Sequence, residues 1–341
     1  MHDECTKRSL TWANRVQPAW EQGLHTSPLP SAVVRTVIGA IGRVLITVGL
    51  LILLFVAYQL WGTGIYEARA QSDLETKFDR ELAGSQSQTT STAAGSATTS
   101  SATAPTTTAA TAPAIVSAPA AGDPVGVITI DKIGVDKVVV EGTTVPDLRK
   151  APGHYEGSPL PGQVGNAAIA GHRTTYGAPF GDLDQLAKND RISVRTLTGT
   201  WNYELTEDPF AVSPNQTEVL DPTTDPATGE PLATLTLTTC HPRFSASERL
   251  VVKAKLSDAQ PPLPAADVHP KLVLDTGLSG GGESRTPAIL WGLVAAAVGG
   301  LWWLVFHRHP RWTTWIGGAI PFLAALFVFY TYLERVLPNN Y

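Results

Sequence analysis

The segments that decide the fold are ATLTLTTC, residues 233–240, and ERLVVKAKL, residues 248–256, joined by the short connection HPRFSAS. Apolar and polar residues alternate in both segments, and this period of two predicts β-strands. The leucines of the first segment share the face assigned to the core, so Cys240 lies on the opposite face. Arg249 lies on the outer face of the second strand. Because consecutive strands often pair, we expect the Arg249 guanidinium to approach the Cys240 thiol.

The whole region 123–258 has the same β-rich character. VGVITIDKIGVDKVVVEG and RISVRTLTGTWNYELTEDPFAV each hold two β-branched or aromatic runs about a turn signal, and APFGDLDQLAKND predicts a short helical insert. Several short strands at such spacing predict a closed barrel or a sandwich. The region is long enough to bury one core. The fold class is therefore mainly β with short helices, accompanied by the membrane helices described next.

Three long apolar runs stand apart from the β region. The first covers residues 44–66 and carries no charge between Arg43 and Glu67, and the other two, residues 288–306 and 315–333, are neighbours near the end of the chain. At about 1.5 Å per residue, runs of this length match the roughly 30 Å of hydrocarbon in a bilayer. They predict three transmembrane helices, the last two forming a helical hairpin.

Basic residues set the expected orientation of these spans. The N-terminal tail, residues 1–43, and the connection between the last two spans carry lysine and arginine at Lys7, Arg8, Arg15, Arg35, Arg43, Arg308 and Arg311. Cytoplasmic loops are enriched in such residues. We therefore expect a plasma-membrane protein with a cytoplasmic N-terminus and an extracellular β domain.

Two segments of biased composition flank the β domain. Residues 67–122 are rich in Ala, Ser, Thr and Pro after a short charged start, and residues 259–287 are rich in Pro and then Gly. Segments without apolar periodicity cannot bury enough surface to offset the entropy lost on ordering. Both are predicted to be linkers, the first a disordered tether from residue 71 onward that lifts the domain off the membrane.

Charge and cysteine content exclude some functions. The net charge is −5, and the external region has no basic patch, so nucleic acid is not an expected partner. The two cysteines, Cys5 and Cys240, are expected on opposite sides of the membrane and cannot pair within one chain. No C-x-x-C or H-x-x-x-H spacing favours a zinc site, and no spacing supports a calcium site, so no metal ion is predicted. Cys240 is thus an extracellular thiol that is either reactive or structural.

A reactive thiol needs a partner, because the thiolate is the nucleophile and a free cysteine is mostly protonated at neutral pH. In NAAIAGHRTTYGAPF an apolar strand leads into a loop that presents His172, whereas His241 points to the opposite face from Cys240. The candidate set is Cys240 as nucleophile, His172 as acid and base, and Arg249 as a positive charge for an oxyanion. Spacing alone leaves a structural thiol equally open.

Three segments resemble the sortases, and specifically the class E group of Gram-positive actinobacteria: TLTTCHP, ERLVVKAKL and AIAGHRTTYGAPFGDLDQL. The resemblance implies a sortase β-barrel and a cysteine transpeptidase. Such an enzyme cleaves the C-terminal sorting signal of a secreted protein, LAxTG or LPxTG in type, between Thr and Gly. It holds the product as a thioester and passes it to an amine of a lipid II-like cell-wall precursor.

The resemblance also assigns roles to single residues. Cys240 matches the nucleophile, His172 the acid or base, and Arg249 the oxyanion and substrate-binding arginine. Tyr155 in the GHY segment matches a substrate-recognition residue, and Thr239 matches a family threonine beside the nucleophile. No cofactor and no metal ion is implied.

Three alternatives remain open at this point. A C-terminal span is more typical of pilus-polymerising, class C-like sortases. A sortase domain could also bind sorting signals or cell-wall peptides without turnover. Finally, the hairpin of residues 288–306 and 315–333 could be the main part, docking a partner while the β domain acts as a spacer; the small-residue stretch GLVAAAVGG is suited to close helix packing, against a partner or against the other helix of the hairpin.

Overall fold

The computed structural model describes residues 31–94, 117–257, 259–264, 284–307 and 312–336. The predictions for residues 1–30, for residues 95–116 of the first linker, for most of the second linker and for the connection between the last two spans lie outside these ranges. The chain forms two compact units, Met1–Leu53 and Leu54–Tyr341, and the second contains the whole β domain.

Within the described residues one sheet contains β1 Pro124–Ile130, β2 Val135–Glu141, β3 Gly153–His154, β4 Gly165–Ala170, β5 Arg191–Thr196, β6 Gly199–Leu205, β7 Phe210–Val212, β8 Ala233–His241 and β9 Glu248–Leu256. The strand order is β6-β5-β1-β2-β3-β4-β8-β9, and β9 also pairs with β6. This last pairing closes a barrel, while β7 pairs with the start of β9 outside it. The predicted closed barrel is confirmed.

The barrel interior is filled by the inward faces of alternating strands. Leu235 and Leu237 of β8 are fully buried there against Ile169, Val194 and Tyr203. In β5 and β6 every second residue is buried and the residues between are exposed or half-buried, as expected for strands with one face on the core. The predicted inward face of ATLTLTTC is therefore confirmed.

Strand β8 differs from β5 and β6 because both of its faces are covered. It lies between β4, with which it is parallel, and β9, with which it is antiparallel. All its residues except His241 are buried. The face opposite the core packs in a second cluster that contains Cys240, Tyr155 and Leu220.

The helices are α1 Ser31–Ala57, α2 Thr63–Ala94, α3 Val145–Leu148, α4 Thr286–Phe306 and α5 Trp312–Val336, with one π-helical turn, Tyr58–Gly62, between α1 and α2. In the described part of the chain, three helices are long and apolar enough to cross a membrane. They contain the three runs predicted from the sequence.

Glycines bring the two helices of the C-terminal hairpin close together. A Cβ atom at Gly299 would lie 2.9 Å from the ring of Phe322, and one at Gly292 would lie 3.0 Å from the ring of Phe329. The small residues of α4 thus form a surface that receives the aromatic rings of α5. The small residues of GLVAAAVGG therefore pack against the other helix of the hairpin, which is one of the two alternatives named above.

The prediction of a disordered tether from residue 71 is wrong for residues 71–94, which continue helix α2. Leu74 and Phe78 are buried against Val127, Val138 and Val140 on the outer surface of the barrel. The guanidinium of Arg195 also lies over the Phe78 ring, 5.3 Å from its centroid. Burial of this apolar stripe offsets the weak helix propensity of the segment, an effect that composition alone does not show.

The second linker also begins later than predicted. Gln260 accepts a hydrogen bond from the Asn202 amide and donates one to the Thr200 carbonyl. Leu263 pairs with Gln163 and packs against the core. Residues 259–263 therefore belong to the barrel.

Candidate active site

The antiparallel register of β8 and β9 places Cys240 directly opposite Arg249. The pairing inferred from the sequence is therefore confirmed. Cys240 lies on the strand face opposite the barrel core, as predicted, but that face is covered, and Cys240 is only 3% exposed and Arg249 only 6%. Cys240 belongs to a buried cluster that also contains Leu148, Tyr155 and Leu220.

The connection before β9 holds the Arg249 guanidinium. Its Nη1 donates to the carbonyl oxygens of Ala246 and Glu248, each at 3.2 Å. Both acceptors are uncharged carbonyl groups. They hold the Arg249 guanidinium in place without neutralising its positive charge. A fixed cation beside a thiol suits an oxyanion formed when the thiol attacks a carbonyl.

His172 lies just past the end of β4, in a loop that is hydrogen-bonded to β8. The Gly171 amide donates to the Thr238 carbonyl at 3.1 Å, and the Thr239 hydroxyl donates to the Gly171 carbonyl at 2.7 Å. These two hydrogen bonds fix Gly171, at the start of the His172 loop, to the two residues that immediately precede Cys240.

Burial controls the protonation of His172. Desolvation, and then the charge of Arg149, lower the pKa of His172 from 6.5 to about 4, so the imidazole is neutral at pH 7. Its Nε2 is buried and has no hydrogen-bond partner among the described residues. A buried, unpartnered ring nitrogen is costly to a fold and is typical of catalytic positions.

The His172 loop is supported by α2 and α5. The Tyr176 ring lies 5.2 Å from the His172 ring, and its hydroxyl donates to the Glu334 carboxylate of α5. The Tyr176 amide donates to the Thr63 hydroxyl of α2 at 3.1 Å. Burial and the nearby carboxylate raise the pKa of Tyr176, which keeps its hydroxyl protonated as a donor.

Tyr155 lies in the same cluster as Cys240. Its hydroxyl and that of Thr238 are 2.9 Å apart and share a hydrogen bond. A cavity of only about 20 Å³, lined among others by Tyr155, Thr238, Leu220 and Arg249, is left beside them. Ser213, Pro214, Gln216 and Thr217, from the segment after β7, also line this small space.

Residues 128–257 match the family model of the sortase domain. This part of the chain is a sortase domain. This sortase is 30% identical to Sortase SrtE1 of Streptomyces coelicolor over 230 residues, which are 65% of this chain and 58% of SrtE1. It is 27% identical to Sortase SrtE2 of the same organism over 243 residues, 67% of this chain and 85% of SrtE2. The match thus covers less than two thirds of the length of SrtE1.

Solved sortases give similar matches. Sortase E from Streptomyces avermitilis is 37% identical, with 41% of this chain and 91% of that chain covered and a TM-score of 0.36. A Sortase D5 transpeptidase from Clostridium perfringens is 30% identical, with 56% and 98% covered and a TM-score of 0.40. The resemblance to sortases, and among them to class E, is confirmed by the sequence matches.

Arg173 of this sortase is a site residue that sequence reasoning missed. It is buried, and its guanidinium donates to the Cys240 carbonyl at 3.3 Å and contacts Nδ1 of His241 at 2.7 Å. It also pairs with Asp184 at 2.9 Å. The only available signal was its place next to His172 in the Gly-His-Arg loop. Because Nδ1 of His241 contacts Arg173, His241 remains a weaker candidate for the base than His172.

The connection between β8 and β9 is tied down in the same way. Arg243 donates to the Gly181 carbonyl at 2.7 Å and pairs with Asp182 at 2.8 Å. Asp182 and Asp184 thus form ion pairs with Arg243 and Arg173, respectively. These contacts hold the connection between β8 and β9 against the segment that follows the His172 loop.

His154, beside Tyr155, has a supporting role. Its Nδ1 lies 2.7 Å from the Glu141 carboxylate and its Nε2 lies 2.9 Å from the Pro159 carbonyl. With both ring nitrogens engaged and the side chain fully buried, His154 is not free to act as a base. Its contacts fix the end of β3, immediately before Tyr155.

Proposed function

We propose that this sortase is a membrane-anchored cysteine transpeptidase that cleaves a C-terminal sorting signal, LAxTG or LPxTG in type, between Thr and Gly. It then transfers the protein to an amine of a lipid II-like cell-wall precursor. The observation that carries the proposal is the pairing of Cys240 with Arg249 beside a loop whose histidine has a buried, unpartnered Nε2. The family supports the reaction class.

In the proposed first half-reaction, the Cys240 sulfur attacks the threonine carbonyl carbon while Nε2 of His172 takes the thiol proton. The Arg249 guanidinium stabilises the negative oxygen of the tetrahedral intermediate. The intermediate collapses to a thioester when the Thr–Gly bond breaks, and His172 gives its proton to the departing glycine amine. This order of proton transfers requires His172 to accept a proton first, and an imidazole that is neutral before the reaction can do so.

In the second half-reaction, the acceptor amine attacks the thioester carbonyl and gives its proton to His172. The new amide forms, the carbon–sulfur bond breaks, and the proton returns to Cys240. Tyr155 and Thr239 are assigned to substrate recognition. Tyr155 is the better supported of the two, since it shares the covered face with Cys240, whereas the Thr239 hydroxyl is engaged with Gly171.

The proposed location is the plasma membrane, with a cytoplasmic N-terminus and an extracellular catalytic domain. Arg35 and Arg43 lie in the first half of α1, while the barrel follows its other end. This distribution supports the orientation through the positive-inside rule.

Turnover of two quenched fluorescent peptides, one with LAxTG and one with LPxTG, tests the proposal. The full chain in detergent should cleave at least one peptide between Thr and Gly, and Cys240→Ala should not. Preference for the alanine peptide supports a class E-like housekeeping role, and preference for the proline peptide favours the class C-like alternative. Tight binding without cleavage would contradict the transpeptidase and favour the non-catalytic module.

A further inference from the structure

A cavity of about 330 Å³ lies next to the His172 loop, between the start of α2, the end of α3 and the end of α5. Its lining residues include three arginines, Arg69, Arg149 and Arg335, and a single acidic residue, Glu334. Guanidinium groups remain charged at all physiological pH values. Three positive charges against one negative charge make this cavity a site for an anion.

The single carboxylate is already engaged. Glu334 lies 4.0 Å from Nε of the buried Arg149 and also accepts the hydrogen bond of the Tyr176 hydroxyl. Arg335 stacks over the Tyr332 ring at 5.2 Å, and Arg69 is exposed at the cavity edge. Among the described residues neither Arg69 nor Arg335 pairs with a carboxylate, so both are free to bind a ligand anion.

An apolar groove continues from this cavity along the helices. The groove has a volume of about 320 Å³ and shares Tyr58, Gly62, Ile65 and Phe327 with the charged cavity. Its other lining residues are Leu54, Leu323, Leu326 and Tyr330. These residues lie at the end of α1 and on α5, two of the helices that are apolar enough to cross a membrane. The combined site is therefore charged at one end and apolar at the other.

We infer that the cavity and the groove together bind a membrane lipid with an anionic phosphate headgroup. The phosphate lies among Arg69, Arg149 and Arg335, whose planar donors suit bidentate contacts with phosphate oxygens. The hydrocarbon chain lies in the groove. A free phosphate ion would use the arginines but not the groove, so the continuity of the two spaces favours a lipid.

The bound lipid would lie beside the candidate active site, because Tyr176 lines the cavity and its ring contacts that of His172. The inference rests on the membrane placement made under the proposed function. It does not depend on the chemistry of Cys240, and binding is therefore measured with the full-length Cys240→Ala chain in a neutral detergent.

Three probes separate the possible sources of the anion: dihexanoylphosphatidylglycerol, dihexanoylphosphatidylcholine and glycerol 3-phosphate. Titration by microscale thermophoresis should show that the phosphatidylglycerol binds about tenfold or more tightly than either of the others. The double variant Arg69→Gln and Arg335→Gln should weaken that binding about tenfold. Leu323→Trp, which fills the groove without touching the arginines, should weaken it as well.

Arg191→Gln removes an exposed arginine of β5 and is the matched control, with no change in affinity expected. Thermal unfolding of each variant verifies that the fold is intact. Equal binding of glycerol 3-phosphate and phosphatidylglycerol would overturn the lipid assignment. Undiminished binding by the double arginine variant would overturn the site itself. If the unsubstituted chain does not cleave the peptides, only the proposed transpeptidase activity is contradicted. If it cleaves them but the chain does not bind the lipid, only the lipid site is contradicted.

Discussion

The Thr239 hydroxyl donates a hydrogen bond of 2.7 Å to the carbonyl oxygen of Gly171. Thr239 immediately precedes the proposed nucleophile, Cys240, and Gly171 immediately precedes the proposed base, His172. Thr239 is completely buried, so this bond is not exchanged for one with water. One buried hydrogen bond thus connects the backbone positions that carry the two reacting groups.

Thr239→Val should lower both stability and turnover. The substitution keeps the shape of the side chain but removes the donor, and losing a buried hydrogen bond typically costs about 1–3 kcal/mol of unfolding free energy. With a looser His172 loop, kcat for peptide cleavage should fall, and a rise in KM as well would report the part of Thr239 in substrate recognition. Thr239→Ser, which restores the hydroxyl, should recover kcat. A valine variant with unchanged kcat would show that this bond does not position His172.

Titration of His172 should show an inflection near pH 4 and not near the ordinary pKa of 6.5. Hydrogen–deuterium exchange at the imidazole C2 position, followed by mass spectrometry, measures this pKa site by site. Arg149→Met removes the second cause of the shift and should raise the pKa, although burial still holds it below 6.5. An inflection near 6.5 in the unsubstituted chain would contradict the buried, neutral imidazole.

The same shift predicts how stability depends on pH. A pKa that is lowered on folding means that the unfolded state binds the proton first as the pH falls. The contribution of the neutral His172 to the free energy of unfolding is therefore complete above pH 6.5. It is lost progressively as the pH falls from 6.5 through about 4. A shift from 6.5 to about 4 corresponds to about 3 kcal/mol. Denaturant unfolding at pH 7 and pH 4 should show this loss, and His172→Phe should reduce it.

Opening the cover over the thiol should make Cys240 more reactive. Leu220 belongs to the cluster around Cys240, and Leu220→Ala removes part of that cover. We expect iodoacetamide to alkylate Cys240 at least several-fold faster in this variant. Leu197→Ala, at an exposed turn residue, is the matched control and should leave the rate unchanged. Equal rates in all three chains would show that Leu220 does not limit access to the thiol.

The docked part of α2 should detach when its anchor is removed. Phe78 is fully buried between the helix and the barrel, and truncation of a buried phenylalanine costs about 3–5 kcal/mol. Phe78→Ala should make residues 71–94 sensitive to limited proteolysis. Glu75→Ala, on the exposed face of the same helix, should remain resistant. Resistance of both variants would mean that Phe78 is not the main anchor.

Local patterns were sufficient for the strands and for the main candidate pair. The alternation in ATLTLTTC and ERLVVKAKL identifies which residues face the core, because the period of a strand is a property of the backbone. A short connection between two such strands favours antiparallel pairing, and this brings Arg249 opposite Cys240. The three apolar helices follow from length and composition alone.

What the sequence could not determine depends on surfaces that meet from distant parts of the chain. Burial of Cys240 requires Tyr155 and Leu220, and the order in α2 requires the outer surface of β1 and β2. Residues 71–94 were predicted to belong to a disordered tether because the linker as a whole is rich in Ala, Ser, Thr and Pro, and local composition does not include the free energy of tertiary burial. The alternation within the strands and the length of the apolar runs are properties of the local sequence. The burial of the Cys240 thiol and the packing of α2 on the barrel were decided only by the tertiary fold.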